Sequence, residues 1–264
     1  MKKKFIFTIL LCLFYNSVLF GQSPYKLSKE TDITITVTGV TLSAIDIVLL
    51  SQKTPMTIEE LNSLTEENVN SFDRGAISNY SGSAATVSDI LLISSIISPL
   101  LLFTSSEIRN DAEIISTMCV ENALLYFSIP HFAKSTVERY RPYVYNSEVP
   151  VQNKLKVESK LSFFSGHTTP AFANAVFLSK VYSEYYPDSK WTPYIWSANL
   201  LLASAVGYFR YSSGSHFPTD IITGAVVGTL IGFFITYIHE TDETEELLAT
   251  PNRPRELFFL KISF

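Results

Sequence analysis

From Ser88 onward the chain reads as a succession of apolar blocks separated by short polar turns, with none of the strict alternation that marks a half-buried strand. The runs ILLISSIISPLLLFT and AEIISTMCVENALLYFSI, and the segments 170–186, 194–209 and 221–238, each predict a helix. Ser88 and Asp89 are placed to cap the first of these, and Pro99 to kink it. Glu113 and Glu121 make the second block a poor lipid-facing helix, so its acids are expected to face protein or water. Residues 33–50 are apolar but dotted with threonine and carry Asp46, which suits a helix lying at a membrane interface better than one crossing it. TIEELNSLTEENV opens on a Thr57/Glu60 capping box and predicts a short amphipathic helix. SFDRGAISNYSGSAAT reads as a Gly/Ser-rich loop in which Asp73 and Arg74 pair with each other or with solvent and carry no role. The pattern as a whole predicts an all-α, antiparallel helical bundle embedded in a membrane, with its active site at one end.

The two ends differ from this pattern. Lys2, Lys3 and Lys4 followed by an apolar stretch from Phe5 to Phe20 and by Gly21 resemble a cleavable secretory signal. An uncleaved anchor is the alternative. The resulting division is a signal over residues 1–21, an N-terminal helical and loop region over 22–86, a helical core over 87–240 and a tail over 241–264. Charged residues make up 17% of the chain, well below the roughly 25% usual in soluble domains, and this supports the membrane reading. The net charge of −5 provides no basic face for nucleic acid. Outside the signal only Cys119 remains, so no internal disulfide is expected once the signal is removed.

Candidate chemistry collects at the block boundaries. Lys134, six residues, then Arg141-Pro142 lie at the end of one block. Ser165, Gly166 and His167 open the next. Arg210 ends the one after, and His216 and Asp220 open the last. In a bundle whose helices alternate in direction, an end, a start, an end and a start all fall on one face. Three cations, a helix N-terminus and two histidines on that face would suit an oxyanion such as phosphate. His216 followed at i+4 by Asp220 suits a nucleophile and its orienter. His131 and His239 have no motif partner and read as interfacial or packing residues. Tyr140, Tyr143 and Tyr145 read as interface tyrosines, and the stretch 143–164, with Lys154, Lys156 and Lys160, as a solvated loop.

These three motifs resemble the signature of the type 2 phosphatidic acid phosphatase and vanadium haloperoxidase superfamily: Lys-x6-Arg-Pro, Pro-Ser-Gly-His and Ser-Arg-x5-His-x3-Asp. The chain departs twice, with Phe164 in place of the Pro and Phe209 in place of the Ser. The resemblance implies that His216 is a nucleophile forming a phosphohistidine, that Asp220 orients it and that His167 protonates the leaving group. It further implies that Lys134, Arg141, Ser165, Gly166 and Arg210 hold the phosphoryl oxygens, with no metal and no cofactor. The expected substrate is a phosphorylated lipid or polyprenyl compound in the membrane. A vanadate-dependent haloperoxidase, a soluble periplasmic acid phosphatase and an inactive membrane protein with a relic site are the alternatives. If the signal is cleaved and residues 33–50 do not span, the site faces the periplasm from a bacterial inner membrane; a span at 33–50 reverses the side.

Overall fold

The structure, a computed structural model, describes residues 23–241; the expected signal and nearly all of the expected tail lie outside the described residues. Residues 27–239 form one unit, and a small second unit draws on the two chain ends. In the second unit Tyr25 and Glu240 form an isolated antiparallel bridge, and Thr241 N donates to Pro24 O at 3.0 Å.

Six long helices build the larger unit: α1 (Lys29–Ser51), α2 (Gly82–Ile97), α3 (Ala112–Val137), α4 (Thr168–Tyr185), α5 (Thr192–Ser212) and α6 (Pro218–His239). The architecture is the all-α bundle that the periodicity predicts. Lys29–Ser51, Gly82–Thr104, Ala112–Tyr145 and Pro218–His239 are long and apolar enough to cross a membrane. Ile33, Val37, Val40 and Ile47 of α1 and Ile222, Val226 and Leu230 of α6 are each more than half exposed. In water such a surface would be costly, whereas lipid covers it without penalty.

α4 is the central helix, with most of its residues buried. Its small side chains allow close approach, and α6 answers with glycine. A Cβ on Gly228 would stand 2.2 Å from Thr169 O, and one on Gly232 2.6 Å from Ala173 O. Backbone contact of this kind replaces the hydrophobic drive that is missing between helices in lipid. Cross-helix contacts give the directions. Asn122 of α3 donates to Asn174 of α4 at 3.0 Å, and Asn199 of α5 to Ser179 of α4 at 3.0 Å. α3, α4, α5 and α6 alternate, so their signature ends do share one face.

Several local expectations change. α2 begins at Gly82, where Ser81 Oγ accepts from Ala84 N at 3.2 Å, so Ser88 and Asp89 lie inside the helix and do not cap it. Pro99 has no N–H to donate, and the α-helix gives way to a 3-10 turn over Ser98–Thr104. The Thr57/Glu60 box is present, with bonds of 3.1 and 2.7 Å, and opens the six-residue helix Ile58–Ser63. Residues 33–50 are part of a 23-residue helix that is long and apolar enough to cross a membrane. α1 runs parallel to α3: Asp46 is buried against the Ser135 hydroxyl, and Lys53 pairs with Glu138. The hydroxyl satisfies the acid inside the helix pair, so the threonines and Asp46 do not forbid a span. The 143–164 stretch is likewise packed. It holds two short helices and a 3-10 turn, Lys154 and Lys160 are buried, and Lys160 reaches Glu60 at 3.3 Å.

Candidate functional site

α3 ends at Val137, where Glu138 takes a left-handed conformation (φ 51°) and its N–H bonds to Lys134 O at 3.3 Å. That termination holds Lys134 in the last turn, buried, with Nζ donating to Leu161 O at 3.2 Å. Arg141 converges on the same carbonyl, Nη2 donating at 3.3 Å, while Nη1 donates to Ser215 O at 2.9 Å and Nε to Glu158 O at 2.8 Å. Ser215 precedes His216, so Arg141 ties the first motif to the third.

Ser165 is buried ahead of α4, its Oγ accepting from Thr168 N at 3.2 Å and from the Thr168 hydroxyl at 2.9 Å. Its own N–H donates to Asp220 O at 3.1 Å, a second tie between motifs. Gly166 leaves room for Lys134: a Cβ there would stand 3.4 Å from Lys134 Cε. Gly214, at φ 71°, makes the left-handed turn between α5 and His216.

His216 is buried, with Nδ1 3.5 Å from Asp220 Oδ2, close but without hydrogen-bond geometry in this resting state. Burial holds its imidazole well below the ordinary value; Asp220 opposes this, and the Lys134 and Arg141 charges add to it. His167 is lowered to about 4, first by burial and then by Arg210, against the pull of Asp89. At neutral pH, before substrate binds, both rings are neutral.

Three residues with no assigned site role join this constellation. Asp89, two turns into α2, accepts from His167 Nε2 at 2.9 Å and pairs with Arg210, whose Nε donates to Ser88 Oγ at 2.8 Å. Arg139 is the second. Its Nη1 donates to Asp220 Oδ1 at 2.6 Å and to Thr219 Oγ1 at 2.7 Å, its Nη2 donates to Asp73 Oδ2 at 2.7 Å, and the guanidinium lies 4.2 Å from the Phe217 ring centroid. Asp73 is the third and corrects the expected Asp73/Arg74 pair. It is fully buried and accepts from Arg139, Thr219 and Asn70, while Arg74 donates to Val69 O at 3.0 Å. Burial alone would raise the Asp73 carboxyl; the Thr219 and Arg139 bonds outweigh it and lower it. Arg139 could have been suspected from its place inside the Lys-x6-Arg spacing, but Asp73 and Asp89 have no local signal.

Residues 113–243 match the family model described as PAP2 superfamily. The chain belongs to the PAP2 superfamily. Within this superfamily it is similar to the lipid A 4'-phosphatase of Porphyromonas gingivalis, 38% identical over 81 residues, a match covering 30% of each chain. The aligned stretch thus spans under a third of that relative's length. Among solved structures it is similar to a transmembrane PAP2 type phosphatidylglycerolphosphate phosphatase from Bacillus subtilis, at 20% identity, a TM-score of 0.41 and coverage of 78% of this chain and 96% of the other. The two PAP2 signature departures are absorbed by packing. Phe164 is buried and edge-on to Phe163, centroids 5.6 Å apart, and Phe209 is edge-on to Tyr208 at 5.4 Å.

Proposed function

We propose that this chain is a membrane-embedded phosphatase that removes phosphate from a lipid-linked substrate through a phosphohistidine on His216. The observation that carries the reading is the convergence of Lys134, Arg141, Arg210, His167 and the Asp220-backed His216 at one end of the bundle. With Nδ1–H turned to Asp220, Nε2 of His216 presents its lone pair to phosphorus. An N–P bond forms as the P–O bond to the lipid alkoxide breaks, and His167 supplies the proton the leaving oxygen needs. His167 is neutral at rest, and a phosphate dianion beside it favours the imidazolium and loads that proton. Its ring nitrogen away from Asp89 is the one free to hold it. In the second half His167 takes a proton from water, the hydroxyl attacks phosphorus, and the N–P bond breaks to release inorganic phosphate. Lys134, Arg141, Arg210 and the N–H groups of Gly166 and His167 hold the three equatorial oxygens.

Phosphate release by the purified protein from lipid A, phosphatidylglycerol phosphate, phosphatidic acid and undecaprenyl diphosphate tests the function and ranks the substrates. His216→Ala is expected to fall below about 10⁻⁴ of wild-type turnover, and near-normal turnover removes the nucleophile from the scheme.

The site faces the periplasm in this reading. If α1 spans, residues near Leu27 then lie in the cytoplasm, so a periplasmic site and signal cleavage after residue 21 are mutually exclusive. Cysteine labelling in intact cells at the exposed positions Lys26 and Ser147 is expected to give opposite accessibility, with Ser147 outside. Labelling of both from one side sinks the span.

A further inference from the structure

A second group of titratable side chains lies away from the signature end. Glu121 is thirteen residues before Lys134 on α3, about 20 Å along the helix axis. There His239, at the end of α6, points Nε2 at Asp32 Oδ1 of α1 and at Glu121 Oε2, both at 3.2 Å. One ligand atom from each residue falls within 4.8 Å of the other two. His239 therefore has partners, contrary to its reading as a packing residue.

Two observations define what this group lacks. His239 Nδ1 lies 2.8 Å from Ile235 O and commits its proton there, which leaves Nε2 of the neutral ring as a lone pair. Glu121 is 2% exposed, and neither of its carboxylate oxygens has a hydrogen-bond donor. Three lone-pair donors thus face one another in an apolar part of the bundle, where an unpaired charge is costly. A single added proton, on His239 or on the Glu121 carboxyl, serves one of the two 3.2 Å contacts and leaves the other without a donor. A divalent cation satisfies all three residues.

We propose that Asp32, Glu121 and His239 bind one divalent transition-metal ion of the zinc class, which pins α1 to α3 and α6. The chemistry of the donor set supports this, since one imidazole and two carboxylates suit zinc or its neighbours better than calcium or magnesium. So do the two 3.2 Å separations from His239 Nε2 to the carboxylates: two ligands at zinc bond lengths in a tetrahedron stand about 3.3 Å apart. The Nδ1–H bond to a backbone carbonyl is the outer contact that orients a metal-bound imidazole. An open groove of about 420 Å³ between α1 and α3, lined by Asp32, Thr36 and Glu121 and by the exposed Ile33, Val37 and Val120, leads to the cluster.

The test uses the full-length protein in detergent, stripped with a chelator and titrated with Zn²⁺, with metal content and thermal midpoint as readouts. One zinc per chain and a raised midpoint are expected, with affinity reduced about 10-fold or more in Glu121→Gln and in Asp32→Asn. Failure of the wild-type protein to take up zinc stoichiometrically overturns the proposal, as does undiminished, wild-type affinity in both variants; the wild-type titration decides even where a variant does not fold. Phosphate release should survive chelation, because this cluster is remote from His216. Loss of the phosphatase reading with zinc binding intact would separate the two proposals.

Discussion

His216–Asp220 and His239–Glu121 are two histidine–carboxylate pairs whose hydrogen bonding is opposite. At the signature end Asp220 accepts from Arg139, from Ser162 Oγ at 2.6 Å and from Phe217 N at 2.9 Å, and its neighbour Asp73 is equally well supplied. At the other end Glu121 has no donor. With Asp220 and Asp73 supplied by other donors, Lys134 and Arg141 meet only backbone carbonyls and keep their charge for an anion from outside, beside the Asp89-paired Arg210. The deficit at Glu121 calls for a cation. Placing a histidine beside an acid therefore does not specify a role; the supply of protons and positive charge around the pair does.

Breaking the Arg139 bridge should have the largest effect. Arg139→Met leaves two buried carboxylates without their shared cation, a change that costs on the order of 3–5 kcal/mol. A steep fall in thermal midpoint and little folded protein are expected. Arg139→Lys keeps the charge but loses the fork that reaches both acids. Its kcat is expected to fall about 10-fold with KM nearly unchanged, because Arg139 acts through Asp220 and does not hold the phosphate. A rise in KM alone would show instead that Arg139 contacts substrate.

Asp89→Asn sharpens the comparison from the other side by removing the one acid that sits among the phosphate-holding groups. Without it His167 takes up a proton less readily, so kcat is expected to fall about 10-fold and the alkaline limb of the kcat/KM profile to move to lower pH. An unchanged profile would make Asp89 a packing partner of Arg210 and nothing more.

The smallest effect is on stability. His167 titrates near 4 in the folded chain and near 6.5 in the unfolded one. Between these values the unfolded chain binds more protons, so stability is complete above about pH 6.5 and declines as pH falls toward 4. His216 is lowered in the same direction and deepens the decline. Thermal unfolding between pH 7.5 and 5 is expected to show it, and His167→Asn to flatten it. Equal slopes in the two proteins would mean that other groups set the acid sensitivity.

Helix number, helix order and the shared face of the three motifs were legible in the chain because each rests on local periodicity and on the alternation of directions. Lys134, Arg141, His167, Arg210, His216 and Asp220 could be named for the same reason: their spacing is short-range. Residues 33–50 read as an interfacial helix because threonine and Asp46 look unfavourable in lipid; the Ser135 bond that satisfies the acid comes from another helix and has no local signal.

Asp73, Asp89 and the Asp32–Glu121–His239 group were beyond the reach of sequence. Asp73 meets Thr219 across 146 residues, and Asp89 meets Arg210 across 121. Nothing in the neighbourhood of either acid announces its partner. What the amino-acid order determined by itself is which helices form and which motif residues share an end, since turns and apolar periods act over a few residues. Which carboxylates are neutralised, and which are left short of a donor, was decided only when distant helices packed, because a buried charge takes its energy from whatever the fold brings within about 3 Å of it.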